Sequence, residues 1–149
     1  EIVYSPLKGE VKLLEEAEDE AFASGALGKG AVVVPVEGKV VAPVDGTIVT
    51  LFPTNHAIAI ETNSGVEILI HVGLDTVQLD GKYFYPKVKE GDKIKKGDLI
   101  LEFDIDEIKK AGYVLTTPII VTNTDEYLDI LEMKKENVEF GDELITIVK

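Results

Sequence analysis

His56-Ala-Ile-Ala-Ile-Glu-Thr-Asn-Ser-Gly-Val-Glu-Ile-Leu-Ile-His71-Val-Gly73 is the stretch on which the architecture turns. Two runs of alternating, β-branched character flank Asn63-Ser64-Gly65, and that combination predicts a β-hairpin. With a two-residue loop at Asn63-Ser64, Thr62 faces Gly65, Ile58 faces Leu69 and His56 faces His71; a four-residue loop keeps the same pairing. Directly opposed side chains have Cβ atoms roughly 4.5–5.5 Å apart, so the two imidazoles would converge. A slip of one residue would send them to opposite faces. Alternation also places Thr54, His56 and Ile58 on one face, where the Thr54 hydroxyl can fix the tautomer of the His56 ring. After His71 the strand ends at Gly73, which lets a phosphate or another backbone come close.

Working outward, the chain reads as short strands broken by Gly, Pro and Asp: 9–14, 31–35, 39–41, 46–52, 57–62, 66–72, 99–104, 115–122 and 143–148. Such spacing predicts an all-β fold, an antiparallel β-sandwich or barrel with a few short helical turns. Residues 104–112 have an acidic start and a glycine stop, the marks of a short helix, and 125–131 could add a further turn or two. Two internal echoes point to duplicated β-units. Pro6-Leu-Lys-Gly9 is echoed by Pro43-Val-Asp-Gly46, and the Gly91-Asp92 turn by Gly141-Asp142. The spacing between echoes is not constant, which speaks against a solenoid. No linker divides residues 1–149, so one domain is expected.

The 149 residues are 45 % apolar, enough for a real core, and no apolar run is long enough to cross a bilayer. There is no cysteine, which removes disulfides, thiolate metal sites and thiol nucleophiles together. A formal charge of −13 repels nucleic acid and anionic lipid and favours basic partners. A cytoplasmic location, with no direct membrane insertion, fits these features. The run Glu15-Glu-Ala-Glu-Asp-Glu20 reads as a solvated loop, as does the glycine-rich Gly25-Ala-Leu-Gly-Lys-Gly30, which is too short for a nucleotide-binding loop.

His56 and His71 are the only histidines. Three chemistries suit an opposed pair. A zinc site normally takes three or four protein ligands, and two nitrogens plus a carboxylate such as Asp75 make a poor one, so no metal is required. Hydrolysis would need a serine beside a histidine base with an acidic orienter, yet Ser5, Ser24 and Ser64 lie in no nucleophile turn. Nucleophilic catalysis remains: a neutral imidazole attacks phosphorus, and the neighbouring imidazole donates a charge-assisted hydrogen bond to the phosphoryl oxygens. Without a nucleotide cradle, the phosphoryl group would have to arrive from another protein.

The segments Ala42-Pro-Val-Asp-Gly-Thr-Ile48, Thr54-Asn-His-Ala57, Ser64-Gly-Val-Glu67 and His71-Val-Gly-Leu-Asp-Thr-Val77, followed by Glu90-Gly-Asp92, Gly97-Asp98, Thr117-Pro118 and Asn123, resemble the glucose-type enzyme IIA of the bacterial phosphoenolpyruvate:sugar phosphotransferase system. The resemblance runs in order through nearly the whole chain. It implies a phosphotransferase component with no cofactor. His71 would be phosphorylated, with His56 as the stabiliser of the phosphoryl group and Thr54 as the orienter of His56. It further implies the phosphocarrier protein HPr as donor and a cysteine of the enzyme IIB (EIIB) domain of a sugar permease as acceptor, with regulatory protein targets as further partners. Partner binding is expected at a shallow apolar depression involving Phe22, Leu27, Phe52, Ile58, Leu69, Val72 and Gly73, with Asp19 and Asp75 on its rim.

Two other readings stand beside this one. A biotinyl- or lipoyl-like carrier barrel shares the Pro-x-x-Gly start and the Gly-Asp turns, and Glu132-Met133-Lys134 faintly resembles its modified-lysine turn. It leaves the paired histidines unexplained. A purely regulatory binding module would use the same apolar depression without transfer chemistry.

Overall fold

The computed structural model describes residues 1–133 and 135–149. Among them the strands are β1 (Ile2–Tyr4), β2 (Gly9–Leu13), β3 (Lys29–Pro35), β4 (Lys39–Val41), β5 (Gly46–Leu51), β6 (Ala57–Glu61), β7 (Glu67–His71), β8 (Phe84–Pro86), β9 (Lys93–Ile94), β10 (Leu99–Phe103), β11 (Thr117–Val121), β12 (Asp129–Glu132), β13 (Asn137–Val138) and β14 (Glu143–Val148). Helices are short: α1 (Glu20–Ala23), α2 (Ile105–Lys110) and the 3-10 turns Leu14–Glu16, Thr76–Leu79 and Thr124–Glu126. No helix among the described residues is long and apolar enough to cross a membrane.

Every strand pair is antiparallel. An eight-stranded sheet runs β13-β2-β3-β11-β7-β6-β5-β9, and two three-stranded sheets, β1-β14-β12 and β4-β10-β8, complete the sandwich. Strand alternation explains how the large sheet presents two different faces. Ile58, Ile60, Ile68, Ile70, Ile119 and Val121 point into the main core, each at most 1 % exposed. Burying a side chain of this size contributes about 1.5–3 kcal/mol. The intervening residues Ala59, Leu69, His71 and Ile120 face the other way, and there Phe22, Leu74 and Ile120 form a second, smaller apolar cluster with Leu14 and Ala17 against it. The acidic run is therefore not merely a solvated loop. Its Ala17, with the flanking Leu14 and Phe22, packs on the outer face of the sheet, and Glu18 accepts a hydrogen bond from the Thr116 hydroxyl at 3.1 Å.

The duplicated units are visible in the hydrogen bonding. Ser5 exchanges backbone bonds with Gly141 and Asp142, and Ala42 does the same with Gly97 and Asp98. Asp92, Asp98 and Asp142 each turn a carboxylate oxygen back onto the amide three residues earlier, at 3.0, 2.8 and 2.8 Å. The turn echoed in the sequence thus occurs a third time, at Gly97-Asp98.

Three expectations are corrected. Of the helical turns expected over 125–131, only Thr124–Glu126 forms; Asp129–Glu132 becomes a strand because Ile130 pairs with Ile147 and is buried. The strand pairs of the hairpin are Ala57 with His71, Ile58 with Ile70 and Glu61 with Glu67, one residue away from the expected register. A longer connection through Thr62–Val66, with Gly65 at φ +91°, closes it. Ile58 consequently lies in the main core and shares no face with Thr54 and His56.

Candidate functional site

The register places His56 opposite Val72, and the His56 carbonyl accepts the Val72 amide at 2.8 Å. Strict alternation would then separate the imidazoles. Their ring centroids nevertheless stand 4.7 Å apart, with the planes at 84°. His56 precedes the first residue of β6 and follows Asn55, whose φ of +59° turns the chain out of the sheet. The pleat rule therefore does not reach His56, and the turn that begins at Phe52 carries its ring over the end of the hairpin onto the His71 side.

Each ring has one nitrogen occupied. Nδ1 of His71 lies 2.8 Å from the Gly73 carbonyl, which can only accept, so Nδ1 carries the proton and Nε2 keeps its lone pair. Nδ1 of His56 is 2.7 Å from the Thr54 hydroxyl. Phe22 from α1 packs on His71 with centroids 5.0 Å apart, and Phe52 meets the His56 ring edge-on at 5.9 Å. Burial first, and the neighbouring His71 charge second, together push the His56 pKa down from 6.5 to about 4. Burial also lowers the His71 pKa, opposed by its bond to Gly73 and by the nearby charges of Asp19 and Asp75. Both imidazoles are neutral at pH 7.

A folded-state histidine pKa below its unfolded value means that the unfolded chain binds more protons between the two. Its contribution to stability is complete above pH 6.5 and is lost as the pH falls from 6.5 towards 4 for His56. In an NMR titration the His56 ring should move with a midpoint near 4 and the His71 ring below 6.5. His71→Gln should raise the His56 midpoint without returning it to 6.5, because burial is the larger cause. A His56 midpoint at 6.5 in the unsubstituted protein would contradict this assignment.

The rim residues separate into two groups. Phe22, Phe52 and Leu69 surround the histidines or lie on the outer face beside them, Leu27 is exposed, and Gly73 supplies the carbonyl that binds His71. Asp19 caps α1 by accepting the Ala21 amide at 2.9 Å, whereas the exposed Asp75 makes no side-chain cap. Ile58 and Val72 do not line the depression: both are sealed in the main core, at 1 % and 0 % exposure. Thr76 and Thr117, which hydrogen-bond the turn after His71, stand in segments that carry the resemblance, yet sequence reasoning gave them no role, because nothing local shows which backbone group a buried threonine will meet. Lys134, the candidate modified lysine, lies outside the described residues.

The sequence profile of the phosphoenolpyruvate-dependent sugar phosphotransferase system, EIIA 1, matches residues 1–127. A β-glucoside-specific EIIBCA component of the phosphotransferase system from Halalkalibacterium halodurans is 50 % identical over 149 residues, which are all of this chain and 23 % of the relative. The proteins of the same description from Dickeya chrysanthemi and Bacillus subtilis are 49 % and 54 % identical over 99 % and 85 % of this chain, and 24 % and 21 % of their own lengths. The chain thus spans under a quarter of the length of these curated relatives. Among solved structures, glucose permease IIA from Mycoplasma capricolum superposes with a TM-score of 0.91 at 39 % identity, covering 97 % of this chain and 94 % of that one. These relatives lend no support to the carrier barrel.

Proposed function

Because this chain belongs to the phosphoenolpyruvate-dependent sugar phosphotransferase system EIIA 1 family, we propose that residues 1–149 act as one phosphoryl-relay domain in which His71 Nε2 is the group that carries phosphorus. The observation that carries this reading is the pairing of a bare, neutral Nε2 on His71 with a second neutral imidazole whose ring centre is 4.7 Å away. The phosphoryl group comes from the phosphohistidine of HPr and leaves to a cysteine of an EIIB domain. EIIB and EIIC are parts of the EIIBCA relatives, so an EIIB acceptor fits a fused or associated permease, with this domain on the cytoplasmic side.

In the acceptance step the His71 lone pair forms the new N–P bond as the N–P bond of the donor breaks, and the donor imidazole keeps that electron pair. The proton stays on Nδ1, where it donates to the Gly73 carbonyl, and that bond stabilises the positive charge that develops on the His71 ring. The Thr54 hydroxyl, donating to His56 Nδ1, leaves the His56 proton on Nε2, where it can bond a phosphoryl oxygen. Phe22 and Phe52 limit the access of water to the phosphoramidate. Asp19 and Asp75 favour a partner with basic residues around its own reactive group. Transfer between two histidines is close to thermoneutral, so positioning and electrostatics supply most of the catalysis.

The test is incubation with enzyme I, HPr and phosphoenolpyruvate, followed by intact-mass and NMR analysis. One acid-labile, base-stable adduct of about 80 Da, with the phosphorus on Nε2 of His71, is the expected product. Phosphorus on Nδ1, on His56 or on a hydroxyl would overturn the assignment.

A further inference from the structure

Building on the phosphohistidine reading, we propose that the buried hydroxyls of Thr117 and Thr76 are positioning groups for His71: they hold the Gly73 turn whose carbonyl selects the reactive tautomer of the ring. Thr117-Pro118 was conspicuous in the sequence, yet nothing in the transfer chemistry itself uses it. Both threonines are 0 % exposed.

The backbone after His71 has no free polar group from the Val72 amide to the Leu74 amide. The Val72 amide donates to the His56 carbonyl at 2.8 Å. The Val72 carbonyl accepts from the Thr76 hydroxyl at 2.5 Å, and the Gly73 amide donates to Thr117 Oγ1 at 3.4 Å. The Gly73 carbonyl accepts from His71 Nδ1, and the Leu74 amide donates to the Val114 carbonyl at 3.0 Å. These bonds sort by peptide plane. The 72–73 plane is gripped at both ends by the two threonines, and the 73–74 plane by Val114 and His71. Between them Gly73 takes φ +78°, and a Cβ there would stand 2.6 Å from the Thr76 methyl. Thr117 is itself oriented, because its hydroxyl proton goes to the Leu115 carbonyl at 2.8 Å and leaves a lone pair for Gly73.

A neutral imidazole in water prefers the form protonated at Nε2, in which that nitrogen has no lone pair to offer. The Gly73 carbonyl, 2.8 Å from Nδ1, reverses this for His71 while the turn is held. The threonines thus touch no reacting atom; they act through the tautomer of the ring that does.

The experiment uses the full chain in the Thr117→Val and Thr76→Val variants, each near-isosteric, with Thr117→Ser and Thr76→Ser beside them. First, the imidazole 15N shifts of His71 are read without any partner protein. The valine variants should move His71 from the Nδ1–H form towards the Nε2–H form, and the serine variants should restore it. Second, phosphoryl transfer from phospho-HPr is measured. The maximal rate should fall roughly tenfold in each valine variant, on the scale of losing an outer support to a reactive ligand, with KM unchanged. Wild-type 15N shifts in a folded valine variant would overturn the proposal, as would an activity loss that merely follows the fraction unfolded. Thr76→Val addresses the same peptide plane from its other end if Thr117→Val does not fold. Should the wild-type chain accept no phosphoryl group at all, the proposed function fails, and the tautomer measurement still decides this inference on its own.

Discussion

His71→Gln should accept no phosphoryl group from phospho-HPr, with labelling slowed by about 10⁴-fold or more, as when a covalent nucleophile is removed. The glutamine amide nitrogen has its lone pair delocalised into the carbonyl and cannot form the N–P bond. The substitution should leave the fold intact. It removes one bond, from Nδ1 to the Gly73 carbonyl, at a cost of about 1 kcal/mol, and leaves the main core untouched. Two measurements settle it together: radiolabel from phosphoenolpyruvate for the chemistry, and the denaturant midpoint for stability. Labelling of the variant at wild-type rate would remove His71 from the proposed mechanism.

The second large effect belongs to His56 and splits the relay into its two halves. His56→Gln should still be phosphorylated on His71 but should transfer to the EIIB cysteine about 10²–10³-fold more slowly, the usual cost of losing one preorganised donor at a developing charge. The asymmetry follows from its pKa. Before phosphorylation burial holds His56 neutral, with a pKa of about 4. A phosphoryl dianion on His71 then brings opposite charge into the same hollow and pulls that pKa upward. His56 can therefore strengthen its bond by taking on positive charge as the N–P bond breaks. Glutamine can donate a hydrogen bond to the resting phosphoryl group but can gain no charge. Rapid-quench kinetics of the two half-reactions should show acceptance nearly preserved and transfer impaired. Equal impairment of both would mean that His56 only shapes the pocket.

Much of this site could be read before any coordinates. Hydrophobic alternation on both sides of Asn63-Ser64-Gly65 identified the hairpin, and β4 and β14 fall on the residues expected for them. The segments it passed over, β1, β8, β9, β12, β13 and α1, have two to four residues each, too few to show a period of their own. They exist because longer neighbours offer them an edge or a face. The residues of the histidine pair and the Thr54 contact were legible because polar groups on an apolar hairpin need partners, and few were within reach.

By itself the sequence determined the fold class and the identity of the two histidines, since composition and local periodicity act at the scale of a single hairpin. The tertiary structure alone decided how the rings meet. The actual register would have parted them, and it is the left-handed turn at Asn55, outside the pleat, that reunites them. It also decided that Ile58 and Val72 belong to the core while α1 closes over His71, and that Thr76 and Thr117 grip the Gly73 turn. Those outcomes depend on which strands and loops lie against one another across dozens of residues, a relation that no local pattern of side chains encodes.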